Sequence, residues 1–145
     1  MKNYNRNRIN KLIIMQGHSS SGKSSFARQF AKDTDAIIST DDYFMEDGIY
    51  KFDKEYLEEY HQKTFEDCIK LMKEHSGDYE KENSGFSIWL DNTNTEPEHV
   101  RPYLELAKKY GFQVVYIRMN GEFKSKAPVE VVEQQKKDLR GFKYE

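Results

Sequence analysis

The stretch GHSSSGKSS at residues 17–25 follows directly on the apolar run KLIIMQ. Its two glycines five positions apart, then Lys23 and Ser24, have the spacing of a loop that wraps a phosphate chain. Glycine at 17 and 22 lets successive backbone N–H groups curl inward with no side chains in the way. Lys23 then reaches the outer phosphate oxygens as a point charge, and the Ser24 hydroxyl is placed to ligate Mg²⁺. A helix starting at Lys23 aims its N-terminal dipole at the same anion. Gly17, His18, Ser19, Ser20, Ser21, Gly22, Lys23, Ser24 and Ser25 are therefore the expected contacts of a nucleoside triphosphate, with ATP and Mg²⁺ as cofactors. The His18 side chain is expected to face solvent, without a role of its own.

Moving a phosphoryl group also requires a metal site, cationic clamps and a group that orients the attacking oxygen. Two short apolar runs end in acid: DAIIST leads into Asp41 and Asp42, and FSIWL into Asp91. Asp41 can accept the proton of an acceptor hydroxyl or hold it in line. Asp91 closes an apolar strand, the Walker-B arrangement for a Mg²⁺–water contact, so Ser24 and Asp91 form the expected metal site. Lys23, Asp41 and Asp91 make up the expected catalytic set. The plainer reading is that Asp41 and Asp42 cap a turn. Asn92, Thr93 and Asn94 are ordinary turn-formers that could also act as ligands.

Strand-like runs at 9–16, 35–40, 86–91 and 112–119 alternate with helical patterns at 23–32, 54–75 and 97–110. A last helix follows with Pro128 near its first turn. Pro97 fits a helix start and Gly111 a helix end. This alternation predicts an α/β fold, a single P-loop NTPase domain over 1–145. Its parallel sheet has about four strands, with helices on both faces. Ligands of such sheets bind at the carboxyl ends of the strands, where the loop and both acids fall.

The 145 residues carry 37% apolar and 14% aromatic side chains, enough for a core. Net charge is −2, yet residues 42–82 hold 13 acidic against 6 basic side chains. A protein that coats duplex nucleic acid with positive charge is excluded. The single Cys68 sits on a helical pattern and reads as a buried small hydrophobe. No run approaches the ~18–20 apolar residues of a membrane span, and no leader pattern opens the chain. The expectation is a cytoplasmic protein, of an oligomeric state the sequence does not set.

GHSSSGKSS, STDDYF, DGIYKFD, LDNTNTEP and PYLELAKKYGF occur in that order. Together they resemble the polynucleotide 5′-hydroxyl kinase branch of P-loop kinases, phage-type and end-repair enzymes included, over residues 9–118. The resemblance implies a DNA or RNA 5′ end as substrate. It matches Asp41 to the general base of the phage-type enzymes. Asp91 matches the aspartate of the D-N-T-N form, which in some members takes that role, so the base is one or the other. His61 matches a recurrent helix histidine, whose plain reading is a packed, hydrogen-bonded side chain.

Two departures stand out. The family's Arg-Asn lid pair is absent from the short 119–127 segment, leaving Arg118, Lys124 and Lys126 as candidate phosphate clamps. Phe44 stands where phage-type members carry a basic residue. Three functions fit this chain. It is a kinase of polynucleotide 5′-hydroxyls, or a kinase of a small metabolite, nucleoside or modified base. The third is a non-catalytic ATP-binding module that acts through a partner.

Overall fold

The computed structural model describes residues 9–76, 85–123 and 127–144. The phosphate loop emerges from β1 (Lys11–Gln16) and runs into α1 (Lys23–Phe30). After β2 (Ala36–Ile38) come a 3-10 helix at Thr40–Phe44 and a hairpin of β3 (Met45–Glu46) and β4 (Ile49–Tyr50). A 3-10 turn at Lys54–Tyr56 leads into α2 (Leu57–His75). The rest of the chain is β5 (Ser87–Asp91), α3 (Pro97–Tyr110), β6 (Gln113–Arg118) and α4 (Val129–Arg140). Four strands form one parallel sheet in the order β2-β5-β1-β6, the α/β architecture expected.

Period-two alternation along the strands builds a core on each face. Leu12, Ile14, Ile88 and Leu90 turn to one face, where Cys68 and Met72 of α2 and Val100, Tyr103 and Ala107 of α3 close over them. Ile13, Met15 and Trp89 turn to the other, against Ala27 and Phe26 of α1. Helices thus cover both faces. Burial pushes the Cys68 thiol up to about 12, which leaves it a packing residue.

Most sequence boundaries contract by one to three residues. The second strand stops at Ile38 because Ser39 caps the next turn, its hydroxyl accepting the Asp41 N–H at 3.3 Å. Asp41 and Asp42 are therefore free of the capping role. Ala31 turns extended and ends α1 at Phe30. The long helix begins at Leu57, after a 3-10 turn capped by Asp53. Pro97 opens α3, and Gly111 closes it in a left-handed conformation at φ 74°. Pro128 precedes the first residue of α4.

The β3–β4 hairpin adds to the elements expected from the sequence, and its Asp47-Gly48 turn is a strong hairpin signal. Both residues take positive φ, 52° and 78°, as a tight two-residue turn demands. Strands of two residues leave too little alternation to read. Phe44, only 3% exposed, anchors the hairpin against Tyr60 of α2, ring centroids 4.7 Å apart. Among the described residues, no helix is long and apolar enough to cross a membrane.

Met72→Ala, which empties a fully buried site between α2 and the sheet, is expected to cost about 2–5 kcal/mol. Val129→Ala, at an exposed position in the first turn of α4, should stay within about 0.5 kcal/mol. Urea unfolding of the two variants beside the parent checks the contrast.

Candidate active site

The loop after β1 is shaped by contacts that exclude side chains at two points. A Cβ on Gly17 would lie 2.8 Å from the Met119 carbonyl and collide with the Ser21 hydroxyl. Gly22 sits at φ 98°, where an L side chain is strained. The Gly17 N–H donates to the Thr93 carbonyl at 3.2 Å, which ties the loop to the end of β5. The His18 carbonyl accepts both the Ser21 N–H at 3.1 Å and the Lys23 ammonium at 3.2 Å. Lys23 is buried, and that burial lowers its pKa against the opposing pull of Asp91 and Asp41. A cation stripped of water in this way interacts strongly with any anion in the crevice.

β1 and β5 are neighbours in register, Met15 opposite Asp91, so both strands deliver their ends to one place. There the Ser24 hydroxyl donates to Asp91 Oδ2 at 2.6 Å. Asp91 Oδ1 is buried and, among the described residues, without a hydrogen-bond partner. Mg²⁺ needs only one or two protein oxygens when phosphates and waters supply the rest. The Ser24 hydroxyl and the orphaned Asp91 oxygen fit that demand.

The Asn-Thr-Asn turn after Asp91 is a clasp. Asn94 takes φ 50°, and its buried amide donates to the carbonyls of Met15 at 2.7 Å and Leu90 at 3.3 Å. Asn92 Oδ1 accepts the Thr40 N–H at 3.0 Å, which fixes the start of the Asp41 turn. The Thr40 hydroxyl also bonds His61 Nδ1 at 3.1 Å and Thr64 at 3.0 Å, holding that turn to α2. Asp41 is left exposed, with Oδ1 accepting the Tyr50 hydroxyl at 3.2 Å. Beside it, Asp42 has its pKa raised by burial and by the charges of Asp91 and Asp41, against Arg28. Lys23, Asp41 and Asp91 thus share one electrostatic space. Asp42, which shares the acidic strand end with Asp41, and Arg28, which no strand-end signal marks, also belong to it.

His18 is a correction. Its ring is buried, not solvent-facing, next to the point where Gln135 of α4 ties down the loop. Nδ1 donates to the Ser19 carbonyl at 2.8 Å, and the Ser19 N–H donates to Gln135 of α4 at 2.8 Å. Arg118 is exposed and lies over the Tyr144 ring at 5.5 Å. Lys124 and Lys126 lie outside the described residues. Ser20, Gly22, Lys23, Phe26, Met119 and Phe123 line a cleft of about 480 Å³. A second, of about 430 Å³, is lined by His61, Asn92, Thr95, His99 and Gln134, among others.

Burial and the neighbouring His99 lower the pKa of His61 below 6.5, more than Asp41 raises it. Below pH 6.5 the unfolded chain therefore binds more protons at this position than the folded one. Stability should fall as pH drops from 6.5 toward the lowered pKa, with no contribution from His61 above that window. His61→Gln should flatten that part of the profile, as read from urea midpoints between pH 5 and 8.

Residues 12–122 match the family described as AAA domain. Human NEDD4-binding protein 2 is 35% identical over 107 residues, which make up 72% of this chain and 6% of that protein. In fold, the chain is similar to a chain of the Pnkp1/Rnl/Hen1 RNA repair complex. The TM-score is 0.64 at 19% identity, covering 97% of this chain and 47% of that one. It is also similar to the APS kinase CysC of Mycobacterium tuberculosis, with a TM-score of 0.51 at 15% identity over 92% and 99% of the two chains. A loop built to hold phosphates, an acid tied to its serine and the family match converge: the chain belongs to the AAA domain family and is a P-loop kinase-like domain.

Proposed function

We propose that this chain is an ATP-dependent kinase that transfers the γ-phosphate to the 5′-hydroxyl of a polynucleotide. The observation that carries the kinase reading is the Ser24–Asp91 hydrogen bond of 2.6 Å beside buried Lys23. The ordered motifs from GHSSSGKSS to PYLELAKKYGF support a polynucleotide end as acceptor. Likeness to a chain of the RNA repair complex is one of fold.

Lys23 and the loop N–H groups bind the phosphates, and the pocket is already desolvated where charge develops. When bound, Mg²⁺ on Ser24 and Asp91 neutralises charge on the phosphate oxygens. In this reading Asp41, open to the crevice, is the base, and the bond from Ser24 to Asp91 supports that choice. The acceptor oxygen bonds to the γ-phosphorus, the β–γ bridge bond breaks, ADP leaves and the hydroxyl proton passes to Asp41. Arg118, which lies over the Tyr144 ring, Lys124 and Lys126 are then the candidates for the phosphate clamp. A small, weakly charged acceptor is the second reading, favoured by the 13 acidic side chains of residues 42–82.

Incubation with γ-labelled ATP, Mg²⁺ and a 5′-hydroxyl oligonucleotide is the test. Lys23→Ala should abolish label transfer. Asp41→Asn should lower kcat by about 10²–10⁴ while ATP still binds. Label retained by Asp41→Asn would move the base role to Asp91. Transfer to a nucleoside but not to the oligonucleotide would establish the second reading.

A further inference from the structure

Six aromatic side chains fall between residues 43 and 60. Phe44 is their buried hub, with ring centroids 5.1 Å from Phe52, 6.1 Å from Tyr50 and 4.7 Å from Tyr60. Holding the hairpin to α2 uses the inner faces of these rings. Their outer faces stay in water: Tyr50, Phe52 and Tyr56 are 41%, 54% and 45% exposed, and Ile49 and Met45 lie beside them. Tyr50 and Phe52 stack at 6.5 Å with planes 29° apart. An open apolar surface of this kind on a small domain marks a contact site.

The surface is continuous with the candidate active site. The Tyr50 hydroxyl donates to Asp41 Oδ1, and burial, then the Asp41 charge and that bond, push the phenol up to about 12. Charge then selects the occupant. Residues 41–60 hold eight carboxylates against Lys51 and Lys54, and Lys51 is paired with Glu46 at 3.5 Å. Such a surface repels a phosphate backbone, while its exposed rings offer stacking to an uncharged π-face. A protein docked here would cover the carboxylate that must receive the acceptor proton.

We propose that the outer faces of Tyr50, Phe52 and Tyr56 form a platform on which the 5′-terminal base of a single-stranded acceptor stacks, presenting its 5′-hydroxyl to Asp41. Base–aromatic stacking tolerates any sequence and needs no cation, which suits an acidic surface. The inference rests on the kinase reading. It makes the acceptor's terminal base, rather than its phosphate chain, the main source of binding.

The test compares label transfer to two single-stranded oligonucleotides, one with a base at its 5′-terminal nucleotide and one abasic there. The base-bearing acceptor should be preferred roughly tenfold in kcat/KM. Phe52→Ala should erase that preference by raising the acceptor KM, with the KM for ATP unmoved, whereas Tyr50→Phe, which keeps the ring, should preserve it. Acceptor KM should change less than threefold between 50 and 200 mM salt. Equal transfer to the abasic end by the parent protein would overturn the platform and leave the kinase reading standing. Bound ATP with no transfer to either oligonucleotide would overturn both.

Discussion

The pairing of β1 with β5 is the constraint on which the remaining geometry depends. Parallel register with Met15 opposite Asp91 brings the phosphate loop and the acid to the same sheet edge. Asn94 locks that arrangement by donating to carbonyls at the ends of both strands. Its amide is buried, and losing it would leave those carbonyls short of a partner in a dry place, an expensive fault. Asn92 extends the clasp to the turn that carries Asp41. Three strand ends are thus joined through the Asn92-Thr93-Asn94 turn, and the crevice inherits its precision from that joint.

Electrostatics gives the crevice its direction. Lys23 is buried against Asp91 and Asp41, and Asp42 is held toward its neutral form in the same space. The lysine ammonium donates to the His18 carbonyl at 3.2 Å. A nucleotide's phosphates offer it a stronger partner and place further negative charge beside the carboxylates. On the proposed reading, a divalent cation on Ser24 and Asp91 and a further positive clamp would offset that excess. Net acidity across residues 41–60 extends the same bias outward, so recognition there depends on rings.

Much of this was legible in the sequence because the signals are local. Gly17, Gly22, Lys23 and Ser24 announce the loop by spacing alone, and an apolar strand ending in acid announces Asp91. The unbroken apolar run Leu12, Ile13, Ile14 and Met15, with the alternation of strands and helices, points to a sheet covered on both faces. What escaped depends on contacts between distant segments. His18 is buried next to the point where Gln135, more than a hundred residues away, ties down the loop. Arg28 joins the site through its electrostatic contact with Asp42. The hairpin strands are two residues each, too short for periodicity, and only the Asp47-Gly48 turn betrayed them.

The central claim is that this crevice transfers phosphate to a hydroxyl rather than merely holding a nucleotide. Phosphorus-31 NMR of the protein with ATP, Mg²⁺ and a 5′-hydroxyl dinucleotide tests it directly. The account predicts ADP and one new phosphomonoester signal in equal amounts, without inorganic phosphate. ATP that persists unchanged, or that yields only ADP and inorganic phosphate, would contradict it.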